Sequence, residues 1–260
     1  MERVEMIKEF YSSMSNDSLK LEMKDYGFEL LRLFKMSDTV LDYGELHARI
    51  SKYRLSNVRP EVFDYLLYQH VEQHGNVCLY FGKQANNAFA FNLDNSKREG
   101  NTEIIQELKT TADIIVDLLN FTGIEPLVYL SGRGYHIWVR VDEPIDNELI
   151  ADFMEEIRIW TKIIQKERDV DSTKVHISRY PNDNEQQTHS LRLFGSKHVK
   201  NQEFSCIRTK DGRVLDELYS WRYFNKYILD GTITKDQFML AYDRIKHYID
   251  ILREQLTEVS

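Results

Sequence analysis

The spacing of apolar residues changes character near Gly75. Before it, Leu30, Leu31, Leu33 and Phe34, and later Phe63, Leu66, Leu67 and Val71, recur at helical steps, which predicts a run of short helices over residues 1–72. Asn57-Val-Arg-Pro-Glu interrupts that run, with Pro60 suited to the first turn of a final helix. From Val77 the runs shorten: Val77–Phe81 and Ala88–Leu93 flank a polar Gly82–Asn87 segment, and a β-hairpin is the simplest arrangement. Thr102–Asn120 then carries Ile104, Ile105, Leu108, Ile115, Leu118 and Leu119 as one stripe, so a helix packs on the sheet. Leu127–Leu130 and Tyr135–Val141 read as strands, and Asn147–Glu167 as a second long helix with Ile150, Phe153, Met154, Ile157, Trp160 and Ile164 inward. Lys174–Ile177, Ser190–Phe194 and Phe204–Arg208 complete the strand set before a Lys210-Asp-Gly-Arg turn. From Leu215 onward, Trp221, Phe224, Phe238, Tyr242, Ile245, Tyr248 and Ile249 predict helix again.

Strands interleaved with two long helices, with helical ends, indicate an α+β or α/β domain. The pattern divides the chain into a helical region 1–74, a central core 75–214 and C-terminal helices 215–260. The length of 260 residues and 42% hydrophobic content support a large buried core. No stretch approaches the roughly 20 apolar residues of a membrane span, and the amino terminus lacks a signal-peptide core, so a cytoplasmic protein is expected. Cys78 and Cys206 are the only cysteines and lie far apart, so any metal must be held mainly by oxygen or histidine. A formal charge of −8 argues against a protein that coats nucleic acid nonspecifically. A local basic groove remains open, with Lys162, Lys166, Arg168, Arg192, Lys197, His198 and Lys200 as candidates.

Three segments carry candidate chemistry. Asn92 and Asp94 lie two apart at the end of a strand and therefore share a face, where oxygen ligands suit a hard cation; an ordinary turn gives the same letters. Ser131-Gly-Arg-Gly-Tyr-His136 joins two strands through glycines that let backbone amides approach an anion, with Arg133 and His136 as phosphate partners. A tight hairpin with a structural histidine is the bland alternative. Asp169 and Asp171 precede a strand at period-two spacing, and Leu191-Arg-Leu-Phe-Gly-Ser-Lys-His198 gathers Arg192, Ser196, Lys197 and His198 at a turn suited to phosphate. Strand alternation sets Trp138 on the His136 face, where packing is its expected role.

Taken in order, these segments resemble the three catalytic motifs of the archaeo-eukaryotic primase superfamily: an Asp-x-Asp pair, Ser-Gly-x-Gly-x-His, and an Asp followed by Arg-x-x-Gly-Ser. The resemblance spans Phe89 to about Lys200. It implies an α+β primase-type core with a mixed or antiparallel sheet, flanked by N- and C-terminal helices. It further implies metal ligation by Asn92, Asp94 and Asp171, with Mg²⁺ or Mn²⁺ as cofactor. Ser131, Arg133, His136, Arg192, Ser196, Lys197 and His198 would bind the nucleotide. Asp94, Asp171 and His136 would be catalytic, in two-metal transfer of a nucleoside monophosphate from an NTP or dNTP to a 3′-hydroxyl. The implied partners are single-stranded or primed DNA template and a helicase or other replication protein, with no membrane.

Two departures stand out. Asn92 replaces the family's first Asp, which engineering, natural loss of activity or compensation by Asp169 would explain. Arg179–Thr188 forms a long polar insertion with the look of an exposed excursion. Three functions are therefore expected in descending order: a primase or primase-polymerase, a non-catalytic nucleotide- or DNA-binding subunit, and a metal-dependent phosphoesterase or nuclease.

Overall fold

Eleven residues of unbroken strand, Ala85–Asn95, run through the middle of the molecule, and Phe89, Phe91 and Leu93 on one face are fully buried. The computed structural model describes residues 2–12, 18–23, 33–36, 56–58, 67–68, 70–72, 75–79, 81, 84–95, 105–181, 191–198 and 202–258. In chain order the elements are α1 (Arg3–Ser12), β1 (Ser18–Met23), β2 (Leu33–Met36), β3 (Ser56–Val58), β4 (Gly75–Leu79) and β5 (Ala85–Asn95). They continue with α2 (Gln106–Thr122), β6 (Leu127–Leu130), β7 (Tyr135–Asp146), α3 (Asn147–Glu167), a 3₁₀ turn (Ser172–Lys174) and β8 (Val175–Tyr180). Last come β9 (Leu191–Arg192), α4 (Glu217–Asp230), β10 (Thr232–Ile233) and α5 (Lys235–Glu258).

The central sheet runs β10-β7-β5-β8, with β6 also paired to β7; β10–β7 is parallel, and the other pairs are antiparallel. A second sheet runs β3-β2-β1-β4-β9. The fold is thus α+β with mixed, largely antiparallel sheets. Phe89, Phe91, Leu93, Ile137 and Val139 on one face of the central sheet pack with α2, α3 and α5 through Leu108, Ile115, Phe153, Ile157, Phe238 and Ile245. Ala88, Ala90, Leu127, Tyr129 and Trp138 on the other face pack with Phe10 of α1, Val77 of β4, Leu191 of β9 and Phe224 of α4. Period-two alternation on β5 and β7 accounts for this division. Asp146 caps α3 by accepting from the Glu148 amide, and Gly123, at φ 94°, ends α2 in the left-handed region that glycine adopts without strain.

The structure corrects several expectations. Within residues 1–72, α1 and the positions Leu67 and Val71 are helical, but Ser18–Met23, Leu33–Met36 and Ser56–Val58 are strands. Ser-Leu-Lys-Leu-Glu-Met alternates apolar and polar residues at period two, the signal that the helical reading passed over. β1 pairs with β4, so the second sheet spans the expected change of region near Gly75. Val77–Phe81 and Ala88–Leu93 do not form a hairpin: β4 lies between β1 and β9, whereas β5 lies between β7 and β8. Pairing on both edges of β5 buries its backbone, and no side remains for β4. Phe204–Arg208 makes isolated bridges only. Arg179 and Tyr180 belong to β8, not to an excursion, and residues 182–188 of the expected insertion lie outside the described residues.

A Cβ on Gly134 would lie 1.8 Å from the Leu93 carbonyl oxygen, so the β6–β7 hairpin seats on β5 only with glycine there. Gly134→Ala is expected to cost about 3 kcal/mol or more through forced backbone movement, read as a lowered urea midpoint.

Candidate functional site

The cross-strand register builds the site in rows on the face opposite α2, α3 and α5. Tyr129 of β6, His136 of β7, Asn92 of β5 and Ser178 of β8 stand side by side. One step further along, Asp94 stands directly opposite His176. In the row behind, Leu127, Trp138, Ala90 and Tyr180 close the floor. Alternation thus gives a strand that buries Phe89, Phe91 and Leu93 on one face a polar end on the other. Trp138 is fully buried and stacked on Phe81 at 5.6 Å, a packing residue.

Ser131-Gly-Arg-Gly is the turn between β6 and β7. The Ser131 amide donates to the Gly134 carbonyl at 2.9 Å, and Gly132 adopts φ 91°, a left-handed value. Arg133 projects from the turn to Asp94, Nη2 to Oδ2 3.5 Å, with both side chains about a quarter to a third exposed. The carboxylate of Asp94 therefore sits beside a guanidinium.

The Arg192–His198 segment reaches the same hairpin. Arg192 is buried and donates through Nη1 to the Ser196 carbonyl at 2.8 Å and hydroxyl at 3.2 Å. Gly195 takes φ 101°, and a Cβ there would strike Trp221 of α4 at 2.5 Å. The Gly195 amide donates to the Ser205 hydroxyl at 2.8 Å. His136 lies beneath this segment at 4% exposure and hydrogen-bonds to the Arg192 backbone. Desolvation first, then the charges of Arg192 and His198, hold its pKa well below the usual histidine value. Its Nδ1 is buried and meets no hydrogen-bond partner among the described residues. Lys197 is exposed and His198 half-buried at the rim.

A buried polar cluster locks this segment to the central sheet. The Tyr129 hydroxyl donates to the Arg192 carbonyl at 2.9 Å and accepts from Trp138 Nε1 at 2.8 Å. Tyr11 of α1 lies 3.5 Å from the same hydroxyl, and its own oxygen accepts the Phe194 amide at 3.0 Å. His70 bridges the Phe194 carbonyl and the Val77 amide, each at 2.9 Å. Burial pushes both tyrosine pKa values up and holds His70 down at about 3, so all three are neutral near pH 7.

Asp171 lies elsewhere. It caps the 3₁₀ turn, accepting from the Thr173 amide at 3.1 Å and hydroxyl at 2.6 Å, with Lys174 Nζ at 4.0 Å. Lys174 in turn bonds Glu107 of α2 at 2.5 Å, and the turn packs against α2 and α3, the helical side of the sheet. Asp169 is in the left-handed region at φ 55°, so the expected strand-like pairing of Asp169 with Asp171 does not occur. Among the described residues no three His, Cys, Asp or Glu side chains gather at metal-binding distance, so Asp94, Asp171 and His136 do not meet on one ion. On β5 and β8 the donors on the site face are Asp94, Asn92, His176 and Ser178, with His136 of β7 in the same row as Asn92. That set suits a single cation and lacks the bridging carboxylates that hold a pair of Mg²⁺ ions.

Sequence reasoning missed His176 and Ser178, whose period-two spacing on β8 is the same signal used for Asn92 and Asp94. It also missed Tyr11, His70 and Tyr129, which no motif marks. Of the basic candidates, Arg192, Lys197 and His198 reach the site, Lys162, Lys166 and Arg168 belong to α3 or its C-terminal cap, and Lys200 lies outside the described residues. No helix among the described residues is long and apolar enough to cross a membrane.

No protein-family model and no curated protein matches this sequence. Among solved structures, the chain is similar to the polymerase domain of Mycobacterium tuberculosis ligase D in complex with DNA, at 13% identity and TM-score 0.47, covering 88% of each chain. It is similar to the catalytic domain of primase Repb′ in complex with initiator DNA, at 16% identity and TM-score 0.36, over 87% of this chain and 95% of that one. It is also similar to the AEP domain of the cyanophage S-2L primase-polymerase, at 12% identity and TM-score 0.37, over 84% of this chain and 96% of that one.

Two outcomes test the site's construction. Tyr129→Phe leaves the buried Trp138 Nε1–H unsatisfied and removes one of the bonds to the Arg192 carbonyl, and should cost about 1–3 kcal/mol in urea unfolding. His70 and His136 are buried neutral, whereas the unfolded chain protonates them below about pH 6.5, so stability should fall as pH drops from 7 to 5. Each contributes up to about 1.4 kcal/mol per pH unit in that window, and His70→Gln should flatten the dependence of the urea midpoint.

Proposed function

We propose that this chain is a primase-type nucleotidyl-transfer protein, binding a nucleoside triphosphate between the Ser131–His136 hairpin and the Arg192–His198 segment, with a DNA strand on the Asn92–Asp94 face. The observation that carries this reading is the convergence of second and third motif residues: His136 lies against the Arg192 backbone and within electrostatic reach of His198. Two segments far apart in sequence thus meet on the polar face of the sheet, which supports a shared site for an anionic ligand.

Each residue has a chemical part. Arg192 is held by Ser196 in a fixed orientation, which preorganises its guanidinium for a phosphate. Lys197, exposed beside Ser196, offers a positive charge to the outer phosphates. Ser131 and Ser196 supply hydroxyls. His136 is neutral, and with the Arg192 carbonyl taken by its other ring nitrogen, Nδ1 can accept from a hydroxyl of the bound nucleotide. Arg133 shields Asp94 until a triphosphate draws it away or a cation displaces it. A divalent cation at Asp94 would supply the charge that draws in the α-phosphate and eases attack by the 3′-hydroxyl. Asp171, at the 3₁₀ turn, would join the site only by leaving Thr173 and Lys174.

A second reading, a binding subunit without transfer activity, is favoured by Asn92 and by the Arg133–Asp94 pair, which together leave little negative charge for a cation. One experiment separates the two. The protein and its Asn92→Asp variant are given a primed or unprimed single-stranded template and labelled NTPs or dNTPs with Mg²⁺ or Mn²⁺. The variant should incorporate label at least about tenfold faster, the effect of about 1.4 kcal/mol at the barrier. Triphosphate binding without incorporation by either protein supports the binding subunit and overturns the transferase. Strand cleavage without added triphosphate points to a phosphoesterase instead. Arg192→Lys should weaken triphosphate binding about tenfold in either reading, because the two-pronged contact is lost.

A further inference from the structure

The Arg192–His198 turn is held from a direction that no motif marks. Tyr129 spends its proton on the Arg192 carbonyl at 2.9 Å, so in its 3.5 Å contact with Tyr11 the donor is Tyr11. Tyr11 in turn accepts the Phe194 amide at 3.0 Å. Two tyrosine hydroxyls thus close a ring of hydrogen bonds from the Phe194 N–H to the Arg192 C=O, and fix the peptide groups on either side of Leu193. Burial keeps both phenols protonated, and hydroxyls in such a chain polarise one another. α1 meets the same turn again through Ile7, whose Cδ1 lies 3.4 Å from where a Cβ on Gly195 would stand, beside the ring of Trp221. Arg3 lies over that ring at 5.3 Å and pairs with Glu217 of α4 at 3.2 Å. Arg3, Ile7 and Tyr11 recur every fourth position and so form one face of α1, while Glu9 ties the helix to Arg140 of β7 at 3.6 Å.

We propose that Tyr11 is a positioning residue for this turn: without touching the ligand, it sets the affinity for a nucleoside triphosphate by fixing the backbone that presents Arg192 and Lys197. This deepens the nucleotidyl-transfer reading and rests on it for the identity of the ligand, not for the hold on the turn. The Arg192 guanidinium reaches forward to the Ser196 carbonyl and hydroxyl, so its direction depends on the path of residues 193–195. With the Tyr11 hydroxyl gone, the Phe194 N–H loses its acceptor and the peptide before Phe194 is free to turn. Arg192 then gives up the preset direction that a two-pronged phosphate contact requires. Tyr11→Phe isolates this effect, because the ring keeps its edge contacts with Phe10 at 4.6 Å and Trp138 at 5.4 Å and only one oxygen is removed.

The test compares binding with stability in the full chain. Affinities for ATP and for inorganic tripolyphosphate are measured by titration calorimetry, and urea midpoints and amide hydrogen exchange are followed on the same samples. Tyr11→Phe should bind both ligands about tenfold more weakly and by the same factor, since phosphate contacts are the ones lost. Exchange across residues 193–197 should quicken by about tenfold as well. Arg3→Gln, at the exposed end of α1, should lose about twofold to threefold in both affinities, and decides the matter if Tyr11→Phe does not fold. Ile245→Val, in the core on the opposite face of the sheet, is the control: it should lower the urea midpoint and leave both affinities unchanged. An equal loss in Ile245→Val would mark a general effect of stability and overturns the assignment. A loss for ATP alone would place Tyr11 at the nucleoside and overturns it too. If the parent binds ATP and Tyr11→Phe binds it equally well, the positioning role fails and the nucleotide reading stands. If the parent binds neither ligand, the nucleotide reading fails alone where exchange still quickens in Tyr11→Phe, and both fail where it does not.

Discussion

The hydroxyl of Tyr129 is the hinge-pin of the site. One buried oxygen accepts from Trp138 and donates to the Arg192 carbonyl, and Tyr11 of the first helix stands beside it. An unpaired hydroxyl at that depth costs several times the net gain of a surface hydrogen bond, so the three segments are held to one relative placement. Everything polar that follows depends on it. Arg192 comes to rest over His136 because its own backbone is bound to β6, and His136 loses its ordinary basicity because Arg192 and its desolvating surroundings cover it.

The electrostatic balance of the face is unusual for a phosphate-handling site. Asp94 is the one carboxylate in the rows that carry Asn92, His136, His176 and Ser178, and a guanidinium neutralises it. The other acid of the expected set, Asp171, is engaged at a turn on the helical side. The overall charge of −8 therefore says little about this face, where Arg192 and His198 both act on His136.

Much of this was legible from the chain alone, for identifiable reasons. α3 begins and ends as its apolar stripe indicates, because Asp146 caps one end and the stripe gives out at the other. The β6–β7 hairpin is equally plain, since two glycines bracket a turn between two apolar runs. The N-terminal strands were misread because short Leu- and Met-rich segments satisfy helical and extended spacing alike, and only pairing between β1 and β4 decides. His176 escaped notice because a residue gains meaning from its partner across the sheet, and register is not written in either strand by itself. Tyr129, Tyr11 and His70 escaped for a related reason: aromatic residues in apolar runs read as core, and nothing local reveals that their polar tips meet.

The fit of Gly195 against the indole of Trp221 bears on when the site comes into being. The wall against which the Arg192–His198 turn is moulded comes from α4, which the ribosome delivers after all three motif segments have emerged. A nascent chain paused before Glu217 carries every motif residue yet lacks the surface that shapes their turn. The shape of this turn is therefore set late in synthesis, and α4 is part of its mould.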